Sequence, residues 1–122
     1  MAGDIGRPYR APAMKLEMTR ERDSVSDLRP VEGPEADEDL AMLSKALGHP
    51  TRVAIVRLLR LRDGCSCTQL VGSLGLAQST VSEHLRILRD SGLVLAPSDG
   101  GRGPYRIDVH RVRRLKALAG SL

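Results

Sequence analysis

Aromatic side chains are almost missing from this chain: Tyr9 and Tyr105 are the only two, and there is no tryptophan or phenylalanine among 122 residues. A hydrophobic core must therefore be assembled from Leu, Val, Ile, Ala and Met. Such a core suffices for one small helical domain but is thin, and apolar surface shared with a second copy would add to it. No run of 18 or more apolar residues occurs, so no membrane-spanning helix is expected. The first 30 residues mix Arg, Asp, Glu and Pro without an apolar stretch, so no secretory signal is expected either. Only two cysteines are present, Cys65 and Cys67. They stand too close for a comfortable structural disulfide and point to a reducing, cytoplasmic setting. Three histidines (His49, His84 and His110) and no activating motif around either cysteine leave little for nucleophilic catalysis, and an enzyme is not expected.

What is present is positive charge, unevenly spread. The net charge is +4, yet residues 1–36 hold six basic and seven acidic side chains. The totals of 19 and 15 therefore leave 13 basic against eight acidic groups in residues 37–122. The part able to fold is the basic part, which suits a polyanionic partner.

Residues 1–36 carry four of the seven prolines and no sustained periodicity, which predicts a disordered tail with at most a turn of helix around Met14–Arg22. Met14 offers a second start, which would leave residues 1–13 outside the native protein. Residues 37–122 are predicted to form one domain. Asp37-Glu38-Asp39 suits a helix N-terminus, Leu40, Leu43 and Leu47 share a face, and Gly48 ends the helix. Pro50 starts a second helix with Val53, Val56 and Leu59 inward. Ser66-Cys67-Thr68-Gln69 fits a capping box for a third helix carrying Leu70 and Leu74, and Gly75 turns the chain. A fourth helix is expected from about Gln78 to Ser91, with Val81, Leu85 and Leu88 toward the core and Gly92 after it. Leu93–Ala96 and Tyr105–Asp108 read as a hairpin around a Gly-rich tip. Asp108 then caps a last helix whose stripe of Val112, Leu115, Leu118 and Ala119 finds little cover inside the domain, an argument for a homodimer. The fold class is mainly α, a winged helix-turn-helix of order α-α-α-α-β-β-α.

That arrangement lays one helix into the major groove of DNA. The polar residues at the head of the fourth helix are Gln78, Ser79, Thr80, Ser82, Glu83 and Arg86. Gln and Arg pair bidentately with adenine and guanine edges, while Ser and Thr bond bases or phosphates. Glu83 is unusual there, since phosphates repel it unless it accepts from a cytosine amino group. His84 is expected to pack near the turn or meet a phosphate, and Arg102 at the wing tip to reach the backbone or minor groove. The plain alternative is a three-helix domain with a solvated polar face.

Three segments carry a closer resemblance: Leu47-Gly48-His49-Pro50-Thr51-Arg52, Leu74-Gly75-Leu76-Ala77-Gln78-Ser79-Thr80-Val81-Ser82-Glu83-His84-Leu85 and Leu88-Arg89-Asp90-Ser91-Gly92-Leu93-Val94. Over roughly residues 38–118 the chain resembles the ArsR/SmtB metalloregulatory repressors. The resemblance implies a homodimer on a palindromic double-stranded operator, released when a metal or other signal binds. Ala77 departs from it, because the family commonly has a capping Ser there. Losing that cap costs about 0.5–2 kcal/mol unless Gln78 or DNA compensates.

Two metal sites are suggested, neither complete. Cys65-Ser66-Cys67 is similar to the Cys-x-Cys by which arsenic sensors hold soft ions such as arsenite, but is displaced by one residue, and Leu70 stands where the third Cys falls. On a helix, i and i+2 diverge by about 200°, so the sulfurs converge only if Cys65 precedes the helix. The alternative is that Cys67 fills a small core position and Cys65 is a free thiol. Asp108-x-His110 is similar to the Asp-x-His of sensors of nickel, zinc or cobalt, with Gly120 and Ser121 where the partner ligands belong. Here the alternative is an N-cap beside an exposed histidine. A second function class stays open: the DNA-binding subunit of a two-protein regulator whose partner is the sensor.

Overall fold

Proline and acid chemistry start the first helix earlier than the sequence suggests. The computed structural model describes residues 29–122, and the expectations for the tail up to residue 28, the turn at Met14–Arg22 included, lie outside them. Helix α1 spans Pro34–Ala46, three residues ahead of the expected start at Asp37. Pro34 presets the first helical φ, Glu35 and Asp37 sit in the first turn where the dipole favours them, and Ala36 is buried. Leu43 is fully enclosed, whereas Leu40 and Leu47 are only half-buried.

Helix α2 spans Pro50–Leu61, with His49 as its N-cap and Pro50 in the first turn. Its inward residues are Ile55 and Leu59. Val53 and Val56, expected inward, are half-buried: the helix has apolar residues on nearly every side, so periodicity left its phase ambiguous. Helix α3, Cys67–Leu74, begins with the expected capping box between Ser66 and Gln69 and buries Leu70. Gly75 ends it in the left-handed conformation (φ 68°) that turns the chain toward helix α4, Gln78–Asp90. Strands β1 (Val94–Leu95) and β2 (Arg106–Ile107) pair antiparallel, Val94 opposite Ile107 and Leu95 opposite Arg106. Each is shorter than the four-residue strand expected. Helix α5, Val109–Gly120, is capped by Asp108 as expected.

The core joins the five helices of the described residues and β1 through side chains such as Leu43, Ile55, Leu59, Leu70, Leu85, Leu93 and Leu118. One expectation changes here. Helices α1 and α5 pack on each other, so Leu118, assigned to an uncovered stripe, is 1% exposed inside the protomer. Ala119 stays exposed, and Val112 and Leu115 are half-buried. The same packing buries Arg114, whose Nη2 lies 3.6 Å from Asp39 Oδ2 and whose Nη1 donates to Arg29 O at 3.1 Å. No helix among the described residues is long and apolar enough to cross a membrane.

Candidate nucleic-acid interface

Helix α4 divides cleanly. Val81, Leu85 and Leu88 are all at most 1% exposed, which fixes the rotation of the helix against α3, α2 and β1. The opposite face is then set: Gln78, Ser79, Thr80, Ser82, Glu83 and Arg86 are all exposed. The helix opens at Ala77, which offers no side-chain cap. The first turn is thus left to water or to an anion.

Glu83 and Arg86 bond each other. Arg86 Nε donates to Glu83 Oε1 at 3.1 Å and Nη2 to Oε2 at 2.6 Å, while Nη1 donates to Asp90 Oδ2 at 3.0 Å. The Arg86 hydrogen bond holds the Glu83 carboxyl below its ordinary range, and Glu83 in turn raises the Arg86 pKa. The acid on this polar helix face therefore has a local explanation: it orients the guanidinium, and together with Asp90 it leaves two of the five N–H donors.

His84 faces α2. Its ring centroid lies 4.6 Å from that of His49, and its Nδ1 is 3.2 Å from Arg52 Nη1. Burial, His49 and Arg52 together lower the His84 pKa, with Glu83 opposing. Arg52 also donates from Nε to Ala46 O at 2.6 Å, so one side chain ties the end of α1 to α4. His49 and Arg52 were visible only as part of a family motif, since their partner is 32 or more residues away.

At the wing, Asp99 Oδ1 accepts from the backbone N of Arg102 (3.3 Å) and Gly103 (3.0 Å), shaping the tip on which Arg102 is exposed. Cys65 and Tyr105 exchange backbone hydrogen bonds of 3.1 and 2.7 Å, adding a bridge beside the hairpin. Arg111 Nη2 donates to Ser91 O at 3.1 Å and fastens α5 to the end of α4.

The two metal candidates fare differently. Cys65 does precede α3, but it is 1% exposed and Cys67 half-buried, the reverse of the alternative in which Cys67 fills the core position. The backbone bridge to Tyr105 draws Cys65 under the wing. Cys67 Sγ lies 3.7 Å from Ser82 Oγ across the helix-turn-helix. Asp108 Oδ1 accepts from the backbone N of His110 (3.0 Å) and Arg111 (3.3 Å), while the His110 side chain is exposed. Among the described residues, no three His, Cys, Asp or Glu groups come together around one ion position. The described residues of a single protomer therefore do not by themselves bring together the donor set of a metal centre.

Two stacked helices joined by a glycine turn, a polar-faced second helix and a two-stranded wing define a winged helix-turn-helix DNA-binding regulator. The model for "Bacterial regulatory protein, arsR family" matches residues 49–95. The HTH-type transcriptional regulator CmtR of Mycobacterium tuberculosis is 46% identical over 81 residues, covering 65% of this chain and 67% of that protein. The NMR structure of the cadmium metal-sensor CMTR from the same organism superposes with TM-score 0.51 at 44% identity, over 65% of this chain and 81% of that one. The homodimeric winged helix-turn-helix domain of Mb0332 from Mycobacterium bovis gives TM-score 0.55 at 30% identity, covering 69% and 80%. The chain belongs to the arsR family of transcriptional regulators, and it is not an enzyme.

Proposed function

We propose that the chain is a metal-responsive repressor that binds a palindromic operator as a homodimer. The observation that supports this best is the two-sidedness of α4: three enclosed aliphatic residues set its rotation while Gln78, Ser79, Thr80, Ser82 and Arg86 project from the other side. In this reading Gln78 and Arg86 contact base edges, Ser79, Thr80, Ser82 and His84 bond bases or phosphates, Glu83 holds Arg86, and Arg102 meets the flanking backbone or minor groove. Residues 37–122, with the first turn of α1 from Pro34, serve as the DNA-binding and dimerising unit.

Among the described residues of one protomer, the donors do not gather around a metal position. A centre requires Asp108 and His110 from each of two copies, where carboxylate and imidazole suit nickel, zinc or cobalt. The enclosed Cys65 sulfur weighs against a soft ion at the cysteine pair. The incomplete donor set also favours a second reading, in which another subunit carries the sensor.

Both are tested by fluorescence anisotropy with a duplex selected in vitro on the full-length protein, titrated with and without nickel, zinc, cobalt, cadmium and arsenite. The proposal expects nanomolar-range binding that weakens steeply with salt and is relieved by nickel, zinc or cobalt in a manner abolished by His110→Ala. Relief by arsenite alone would select the cysteines. No response to any ion would overturn metal control and leave the two-subunit reading.

A further inference from the structure

The two histidines that meet between α2 and α4 carry an inference that deepens the DNA-reading assignment and rests on it. Thr51 N donates to His49 Nδ1 at 3.0 Å, so that nitrogen is an acceptor. Arginine nitrogens only donate, so the 3.2 Å contact from Arg52 Nη1 makes His84 Nδ1 an acceptor as well. A neutral imidazole with an accepting Nδ1 carries its proton on Nε2. The pair therefore offers two Nε2–H donors on adjacent rings, with centroids 4.6 Å apart, and neither nitrogen is used in the hydrogen bonds described for these rings. His49 is exposed and His84 half-buried.

The surroundings favour an anion. The Arg52 cation backs the rings, and His49 caps the positive end of α2. Glu83, the nearest acid on α4, has both carboxylate oxygens bonded to Arg86. His84 also lies one turn after Thr80, so the pair borders the candidate reading face.

We infer that His49 and His84, backed by Arg52, form a clasp for one DNA phosphodiester beside the base-reading face of α4. The clasp fixes where the helix sits along the duplex and carries no sequence preference, because every nucleotide presents the same phosphate. As neutral donors, the two rings add hydrogen bonds without releasing further counterions.

The test uses the full-length protein, the selected duplex and a scrambled duplex of equal composition. Long-range proton–nitrogen spectra at neutral pH are expected to show both rings protonated at Nε2, with both Nε2 signals moving when either duplex is added. His49→Asn keeps an acceptor for the α2 cap but loses the Nε2–H, and His84→Gln removes the second ring. Each is expected to weaken both duplexes by one common factor of about three- to tenfold, the worth of a neutral hydrogen bond, with an unchanged salt slope. Gln78→Ala weakens the selected duplex only. Nε2 signals that ignore both duplexes, or a His84→Gln loss confined to the selected duplex, would overturn the clasp. If the α4 amide signals also stay still and Gln78→Ala is silent, the reading-helix assignment fails with it.

Discussion

The two helices of the DNA-binding motif begin in opposite ways. Helix α3 starts with a closed capping box: Ser66 Oγ accepts from Gln69 N at 3.1 Å, and Gln69 Oε1 accepts from Ser66 N at 2.9 Å. Helix α4 starts at Ala77, with no side chain to satisfy its first N–H groups. The supporting helix is complete in itself, while the candidate reading helix depends on what lies outside the protein at its N-terminus and on core packing along its length. The contrast separates residues that hold the scaffold from residues left free for a partner.

The strongest challenge to that division is Leu85→Ala. If packing alone fixes α4, emptying this fully buried site should cost about 2–5 kcal/mol in urea unfolding; a cost below about 1 kcal/mol would mean the helix is held elsewhere. Next comes the outward face. Arg86→Ala and Gln78→Ala should each weaken the selected duplex by about 1–3 kcal/mol and relax its sequence preference, with little change in melting temperature. Unchanged affinity would remove α4 from the interface.

The caps sharpen the comparison directly. Ser66→Ala should destabilise the free protein by about 0.5–2 kcal/mol, whereas Ala77→Ser should stabilise it by a similar or smaller amount. A silent Ala77→Ser would show that the start of α4 is already satisfied. The smallest effect expected is the pH dependence from His84. Its folded pKa lies below the ordinary 6.5, so the unfolded chain binds that proton more tightly. The stabilising contribution is fully present above about pH 6.5 and is lost as pH falls toward the folded value. The urea midpoint of His84→Gln should accordingly fall less between pH 7.5 and 5.5 than that of the parent.

Legibility followed the range of the interactions. The α4 core stripe was readable because Val81, Leu85 and Leu88 repeat with the helical period, and the caps at Ser66 and Asp108 because their partners lie two or three residues away. Ile55 was missed because α2 is apolar on several sides. The exchange of roles between Cys65 and Cys67 was hidden because Tyr105, 40 positions on, sets the backbone of Cys65. The burial of Arg114 against Asp39, the covering of Leu118 and the meeting of His49 with His84 likewise depend on contacts across the chain. In the candidate site the residue types were legible, but the pairing of Glu83 with Arg86 was not drawn from their three-residue spacing, although such spacing on a helix makes them neighbours.

Gly92 closes α4 with φ 87°, and a β-carbon there would meet Arg111 Nε at 2.9 Å. Adding even a methyl group at this corner would strain the backbone and displace the guanidinium that fastens α5 to Ser91. The joint between the helix-turn-helix and the closing helix thus tolerates substitution poorly for two separate reasons. The open wing tip shares only the first of these reasons: Gly100 and Gly101 also hold positive φ (87° and 108°) but have empty space around them, so a side chain there would strain the backbone without displacing a neighbour.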